Sequence, residues 1–244
     1  MHLLVVGISH RTAPVELREQ IDFQARGLEG ALRALAARGS AREAAVVSTC
    51  NRAELYVACD EADAALADLA AFFSEFHGVD HAALLAHVYD RVDVEAARHL
   101  FRVAAGLDSL VVGEPQILGQ VKEAYTAAAA AQSVGPVLNR LFHASFAVGK
   151  RVRTETGLGS GAVSISFAAV ALARKILGNL KGRNVLVIGA GEMGKLTALH
   201  MKSQGVHRVV KLVNRLFATV LILALSVVIL ANLCYGVNTA LRNI

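Results

Sequence analysis

The chain opens on a short apolar run, residues 2–8 (HLLVVGI), closed by Ser9 and His10, which predicts a strand. Residues 27–37 then carry the alanine, leucine and arginine spacing of an amphipathic helix. Two further β-rich runs follow in quick succession, residues 44–48 (AAVVS) and 54–59 (ELYVAC). Thr49, Cys50, Asn51 and Arg52 separate them, a connection of hairpin length with a turn-favouring asparagine. A helix is predicted over residues 62–76, a short strand near 87–89, and another helix after Asp93, a residue type suited to an N-cap. The order β-α-β-β-α-β is that of a ferredoxin-like α+β domain.

From about residue 117 to 177 the pattern is helical, broken at Gly135-Pro136 and over residues 157–161. Residues 184–188 (NVLVI) form a continuous apolar run of the kind found in buried parallel strands. A helix is expected over about 191–204, ended by Gly205, and a second strand over 208–213. The result is one β-α-β unit, the start of an α/β Rossmann domain. After Arg215 no charged residue appears before Arg242, and residues 216–235 read LFATVLILALSVVILANLCY. About 20 mostly apolar residues suffice to cross a bilayer as a helix, so a transmembrane span with a cytoplasmic N-terminal side is the default expectation. The expected organisation is an α+β domain over 1–155, an incomplete Rossmann unit over 156–215, and a hydrophobic C-terminal helix within 216–244.

Composition narrows this little. With 55% hydrophobic and 18% charged residues, a chain of 244 residues can bury a sizeable core. The net charge of +5 and pI near 9.3 suit a polyanion, but the basic residues are spread along the chain and select no particular one. Cysteines occur only at 50, 59 and 234, and no signal-peptide pattern is present, so a disulfide framework is not expected and a cytoplasmic setting is. No histidine and cysteine pair has metal-ligand spacing, and no metal site is predicted.

Gly189-Ala190-Gly191-Glu192-Met193-Gly194 fits G-x-G-x-x-G directly after a predicted strand and at the opening of a helix. The three glycines permit the turn, the approach of a pyrophosphate and close helix packing, while the helix N-terminus supplies unpaired N–H groups. Arg215 stands near the end of the second strand, where an acidic residue would bind a ribose 2′-hydroxyl. An arginine there suits a 2′-phosphate, so NADPH is the expected cofactor. The plain alternative is a tight β-α turn without a ligand.

Cys50 lies in a polar connection beside Arg52, a cation expected to lower its pKa and make it nucleophilic. Cys59 ends a strand and reads as a small core residue. A thiol plus a hydride donor is the chemistry of thioester reduction. Among nine histidines, His10 and His99 are the better candidates for acid/base work. Gly113, Glu114, Pro115 and Gln116, with Gln120 one turn on, form a polar cluster at a helix start, able to bind an amino acid through oriented hydrogen bonds.

Four runs together resemble the glutamyl-tRNA reductases: GISHRTAPVELRE from Gly7, STCNRAELY from Ser48, HLFRVAAGLDSLVVGEPQILGQVKEAY from His99 and VLVIGAGEMG from Val185. The resemblance implies NADPH-dependent reduction of glutamyl-tRNA(Glu) to glutamate-1-semialdehyde, the first step of C5 tetrapyrrole biosynthesis, with an aminomutase receiving the product. It implies that Cys50 forms the thioester and that His99 is important for activity. It assigns Thr49, Cys50, Asn51, Arg52, Ser109, Glu114, Pro115, Gln116 and Gln120 to the glutamate pocket. Residues Gly189 to Gly194, with Arg215, become the NADPH site. The family's helical dimerisation domain has no counterpart after Arg215. A competing expectation is therefore a truncated or fused fragment, tethered to a membrane through 216–235, that binds or deacylates glutamyl-tRNA without hydride transfer.

Overall fold

The computed structural model of the chain describes residues 1–159, 165–188 and 192–212. In chain order the first unit contains β1 (His2–Ser9), α1 (Val15–Gln20), α2 (Phe23–Arg26), α3 (Leu28–Ala37), β2 (Glu43–Thr49), β3 (Arg52–Cys59), α4 (Ala62–His77), α5 (His81–Leu85) and β4 (Tyr89–Val92). It continues with α6 (Val94–Ala104), α7 (Ile117–Ala130), α8 (Pro136–Glu155) and a 3-10 turn at Gly157–Gly159. The second contains α9 (Ile165–Leu177), β5 (Asn184–Ile188), α10 (Glu192–Ser203) and β6 (Arg208–Leu212). The chain divides into two compact units between residues 162 and 163.

The four strands of the first unit run in the order β2-β3-β1-β4, every neighbouring pair antiparallel. A β-α-β-β-α-β chain produces this order when each crossover brings its second strand back beyond the hairpin partner. Every residue of β3 is buried, so both faces of the sheet are covered. Two crossover helices, α3 and α4, pack on β2 and β1, and α6, α7 and α8 supply the remaining cover. Leu4, Ile8, Leu55, Val57, Leu69, Phe73, Leu100, Val121 and Phe142 belong to the resulting core. Apolar positions explain the placement of α6: Ala96, Leu100, Val103 and Ala104 recur at helical spacing and are buried, leaving a polar face outward.

The structure moves several expected features. The hairpin connection is two residues long, because Thr49 and Arg52 pair across the ladder and only Cys50 and Asn51 form the tip. The strand expected near 87–89 begins at Tyr89, which pairs with Gly7; His87 instead directs Nδ1 to the Thr12 carbonyl at 2.5 Å. Asp93 occupies the N-cap position of α6 without capping it. Its carboxylate is committed to the Leu3 amide and to His2 Nδ1, both at 2.9 Å, with φ of 50° at Asp93 itself.

In the second unit, β5 and β6 pair in parallel from Asn184 and Arg208 to Ile188 and Leu212, with α10 as the crossover. Gly205, at φ 76°, closes the turn after α10. Val170, Leu180, Met201 and Val206 form its small core. The apolar run of β5 is less buried than its composition predicts: Leu186 and Ile188 are exposed and Val187 is buried. Among the described residues β5 has one neighbouring strand, which covers less of it than a central position would. No helix among the described residues is long and apolar enough to cross a membrane, and the stretch 216–235 lies outside them. Gly189, Ala190, Gly191 and Arg215 also lie outside the described residues, while Glu192, Met193 and Gly194 open α10.

Candidate active site

The tip of the β2–β3 hairpin is tied down from outside the sheet. The His10 amide donates to the Asn51 carbonyl at 2.8 Å. Arg18, from α1, donates through Nη1 to the Cys50 carbonyl at 2.6 Å and to Asn51 Oδ1 at 3.2 Å. The Asn51 amide donates to Thr49 Oγ1 at 3.2 Å, closing the turn locally. Cys50 is exposed at this tip, whereas Cys59 is fully buried with the core.

Beside the tip is a cavity of about 10 Å³ in which Thr49, Cys50, Asn51 and Arg52 meet Ser109, Glu114, Ile117 and Gln120. That volume holds roughly one water, so an amino-acid side chain enters only as the lining residues yield. Ser109 Oγ is buried there without a hydrogen-bond partner among the described residues, a polar group available to a ligand. Glu114 and Pro115 are fixed through their carbonyls by Arg153 of α8, at 2.8 and 2.9 Å. Gln116 precedes α7 and accepts from the Gln120 amide at 3.0 Å. The cavity thus gathers seven of the nine residues expected in the pocket, and Pro115 and Gln116 are not among those lining it.

Arg52 does not serve the thiol as expected. Its guanidinium is buried and committed, through Nη1 to Glu54 Oε1 at 2.6 Å and through Nη2 to the Asp108 carbonyl at 2.5 Å and Oδ2 at 3.1 Å. The cation that favours the Cys50 thiolate is Arg18. Although the residue is exposed at the tip, its sulfur is partly desolvated where it lines the cavity, and this, with the facing Glu114 carboxylate, outweighs Arg18 and pushes the Cys50 thiol up. Burial also raises Glu114, against the pull of Arg52. The thiol and the carboxyl, both shifted upward, face each other across the cavity, where a proton can pass between them.

Glu54, which the sequence reading passed over as a strand residue, is the centre of a buried network. Its Oε1 accepts from Arg52 and from Tyr89, and its Oε2 accepts from Tyr56 at 2.7 Å. His99 Nε2 lies 2.9 Å from Oε1. Burial alone would raise the Glu54 carboxyl, but Arg52 and His99 prevail and hold it well below the usual carboxylate range. Such a carboxylate only accepts, so His99 carries its proton on Nε2. His99 does not line the cavity at Cys50; it opens on a separate cleft of about 330 Å³. His10 is partly buried beside the hairpin tip, with Nδ1 unpartnered, and burial followed by Arg52 lowers its pKa. A visible signal for Glu54 is the spacing of Arg52, Glu54 and Tyr56, three polar groups at strand period on one face.

The model of the glutamyl-tRNA(Glu) reductase N-terminal domain matches residues 6–156, and that of shikimate/quinate 5-dehydrogenase matches 171–236, through the apolar stretch. A glutamyl-tRNA reductase of Syntrophotalea carbinolica is 50% identical over 218 residues, covering 89% of this chain and 49% of the relative. One of Pelotomaculum thermopropionicum is 51% identical over 224 residues, covering 92% and 50%. The solved glutamyl-tRNA reductase from Methanopyrus kandleri superposes with a TM-score of 0.59 at 38% identity, covering 86% of this chain and 48% of that one. The chain spans about half the length of the curated relatives it matches.

Proposed function

The chain belongs to the glutamyl-tRNA reductase family, and from that membership and the cavity at Cys50 we propose that it reduces glutamyl-tRNA(Glu) to glutamate-1-semialdehyde through a cysteine thioester. The observation that carries the reading is the meeting of an exposed thiol with Ser109, Glu114 and Gln120 in one small cavity.

In the proposed sequence Glu114 takes the proton of the Cys50 thiol, and the sulfur attacks the carbonyl carbon of the glutamyl ester. The carbon–oxygen bond to the tRNA breaks, and the leaving 3′-oxygen takes the proton held by Glu114. The glutamyl group then rests on Cys50 as a thioester, with Ser109 Oγ and Gln120 positioned to hold its polar atoms. Arg52, held between Glu54 and Asp108, forms a fixed wall of the cavity. His99 acts through Glu54 as a positioning residue, since it faces another cleft.

NADPH, when bound, supplies the hydride that converts the thioester carbon to an aldehyde and returns the thiolate. The parallel β5-α10-β6 unit fits such a cofactor: β5 ends at Ile188 and α10 begins at Glu192, so the helix N-terminus follows the strand directly. Gly189 to Gly194 are the residues proposed to hold its pyrophosphate, and Arg215 its 2′-phosphate. The aldehyde would pass to an aminomutase. Incubation with glutamyl-tRNA followed by intact-mass measurement tests the reading. A glutamyl adduct on the wild type that is lost in Cys50→Ser is the expected result, and an equal adduct on Cys50→Ser would sink it.

A further inference from the structure

We infer that the cleft behind the Arg52–Asp108 pair binds backbone phosphates of the RNA near its aminoacylated 3′ end, an inference that rests on glutamyl-tRNA being the substrate. Its walls follow from element periodicity. On α6, Glu95, Arg98, His99 and Arg102 fall at i, i+3, i+4 and i+7 and share one face, adjoining the one that buries Ala96, Leu100 and Val103. On β4, Tyr89 and Arg91 are two apart and point to the same side. Arg11 comes from just beyond β1.

The charge balance selects an anion. Four arginines, Arg11, Arg91, Arg98 and Arg102, face two carboxylates, Glu95 and Asp108. Asp108 is already shared between Arg52 and Arg11. Arg98 pairs with Glu95 on the solvent-exposed surface, a contact weak enough to exchange for a phosphate. Arg91 reaches the Asp90 carbonyl and the Tyr89 ring and has no carboxylate partner among the described residues. The Arg102 guanidinium makes no hydrogen bond or ion pair among the described residues, and the residue is exposed. Guanidinium groups bind phosphate oxygens bidentately, and a positive groove is how single-stranded nucleic acid is tracked.

The position favours RNA over a small anion. Asp108 lines this cleft and Ser109, the next residue, lines the cavity at Cys50. The Asp108 carbonyl also accepts from Arg52, which lines the cavity, so the two share a wall across which a chain whose terminal ester reaches the thiol can lay its neighbouring phosphates beside the arginines. At about 330 Å³ the cleft accommodates a nucleotide-sized group.

The test compares the wild type with the Arg98→Ala/Arg102→Ala and Arg98→Lys/Arg102→Lys double variants. Binding of a tRNA(Glu) carrying a non-hydrolysable glutamyl amide is measured by anisotropy across a salt series. Acylation of Cys50 is measured in parallel with glutamyl-tRNA and with a glutamyl thioester of a small thiol. The alanine variant should bind the RNA at least about 10-fold more weakly, with the salt slope reduced by about 2, while acylation by the small thioester is unchanged. Lysine should recover most of the slope. If RNA binding and its slope are unchanged while wild-type Cys50 is acylated by glutamyl-tRNA, the cleft inference falls and the substrate reading stands. If glutamyl-tRNA neither binds nor acylates the wild type, both fall. A loss confined to NADPH affinity would also overturn the inference, assigning the arginines to the dinucleotide.

Discussion

His99 Nε2 donates to Glu54 Oε1 at 2.9 Å, the same carboxylate oxygen that accepts from Arg52. One buried oxygen therefore couples the histidine in the arginine cleft to the guanidinium beside the thiol. Removing that carboxylate leaves Arg52 with a buried, half-compensated charge, a loss that costs about 3–5 kcal/mol in comparable cases. Glu54→Gln should unfold in urea with a stability lower by about that amount, and a change under 1 kcal/mol would refute the network's structural role.

The same carboxylate makes a pH prediction whose sign follows from its depressed folded-state pKa. Its stabilisation is present above the ordinary value of 4.5 and is lost progressively as pH falls below it. Urea midpoints of the wild type should fall as pH drops from about 5 to 3, and the fall should be shallower in Glu54→Gln.

For His99 the geometry predicts separable effects. His99→Ala should slow acylation of Cys50 by glutamyl-tRNA, roughly 10–100-fold, by letting Arg52 and Glu54 shift. Alkylation of Cys50 by iodoacetamide should stay within a factor of two of the wild type, because the thiol lies in the other cavity. Equal losses in both assays would mean that the imidazole acts on the sulfur directly.

Arg18 contributes the cation that opposes burial at Cys50. Arg18→Ala should therefore move the pH profile of thiol alkylation further upward, slowing the reaction at pH 8 by roughly 3–10-fold. An unchanged profile would remove Arg18 from any electrostatic role and leave it as a tether of the hairpin tip.

Gly7 provides a packing test. A Cβ there would stand 2.6 Å from the Ala53 carbonyl oxygen and 2.8 Å from Glu54 Cγ. Gly7→Ala should destabilise by about 1–3 kcal/mol and lower the acylation rate with it, since the strain falls on Glu54. Thermal melting and the adduct assay read the two effects separately.

Much of this was legible along the chain, because apolar periodicity and turn residues are local. The strands at 44–48 and 54–59, the helix at 62–76 and the β-α-β unit lie within a few residues of their observed bounds. Most residues that line the cavity at Cys50 stand in the runs STCNRAELY and GEPQILGQ. What failed depended on distant partners. Arg52 reads as the thiol's cation until Asp108, 56 residues on, and Glu54 claim it. Arg18 reaches the tip from 32 residues away, and Asp93 abandons its cap for the first strand, 90 residues back. The polar stripe of Arg52, Glu54 and Tyr56 was visible, but only the sheet's burial shows that those charges face inward.

The ladder that pairs Thr49 with Arg52 also decides how this site tolerates changes in chain length. Most functional residues sit on loops that absorb insertions, but here Cys50 occupies half of a two-residue tip. Shifting β3 by one residue would turn Arg52, Glu54 and Tyr56 to the opposite face of the sheet while Cys50 moved relative to both clefts. Lengthening or shortening β2 or β3 by one residue is therefore a more damaging event than most substitutions within them, and variation in this chain has to proceed by exchanging side chains on a frame of fixed length.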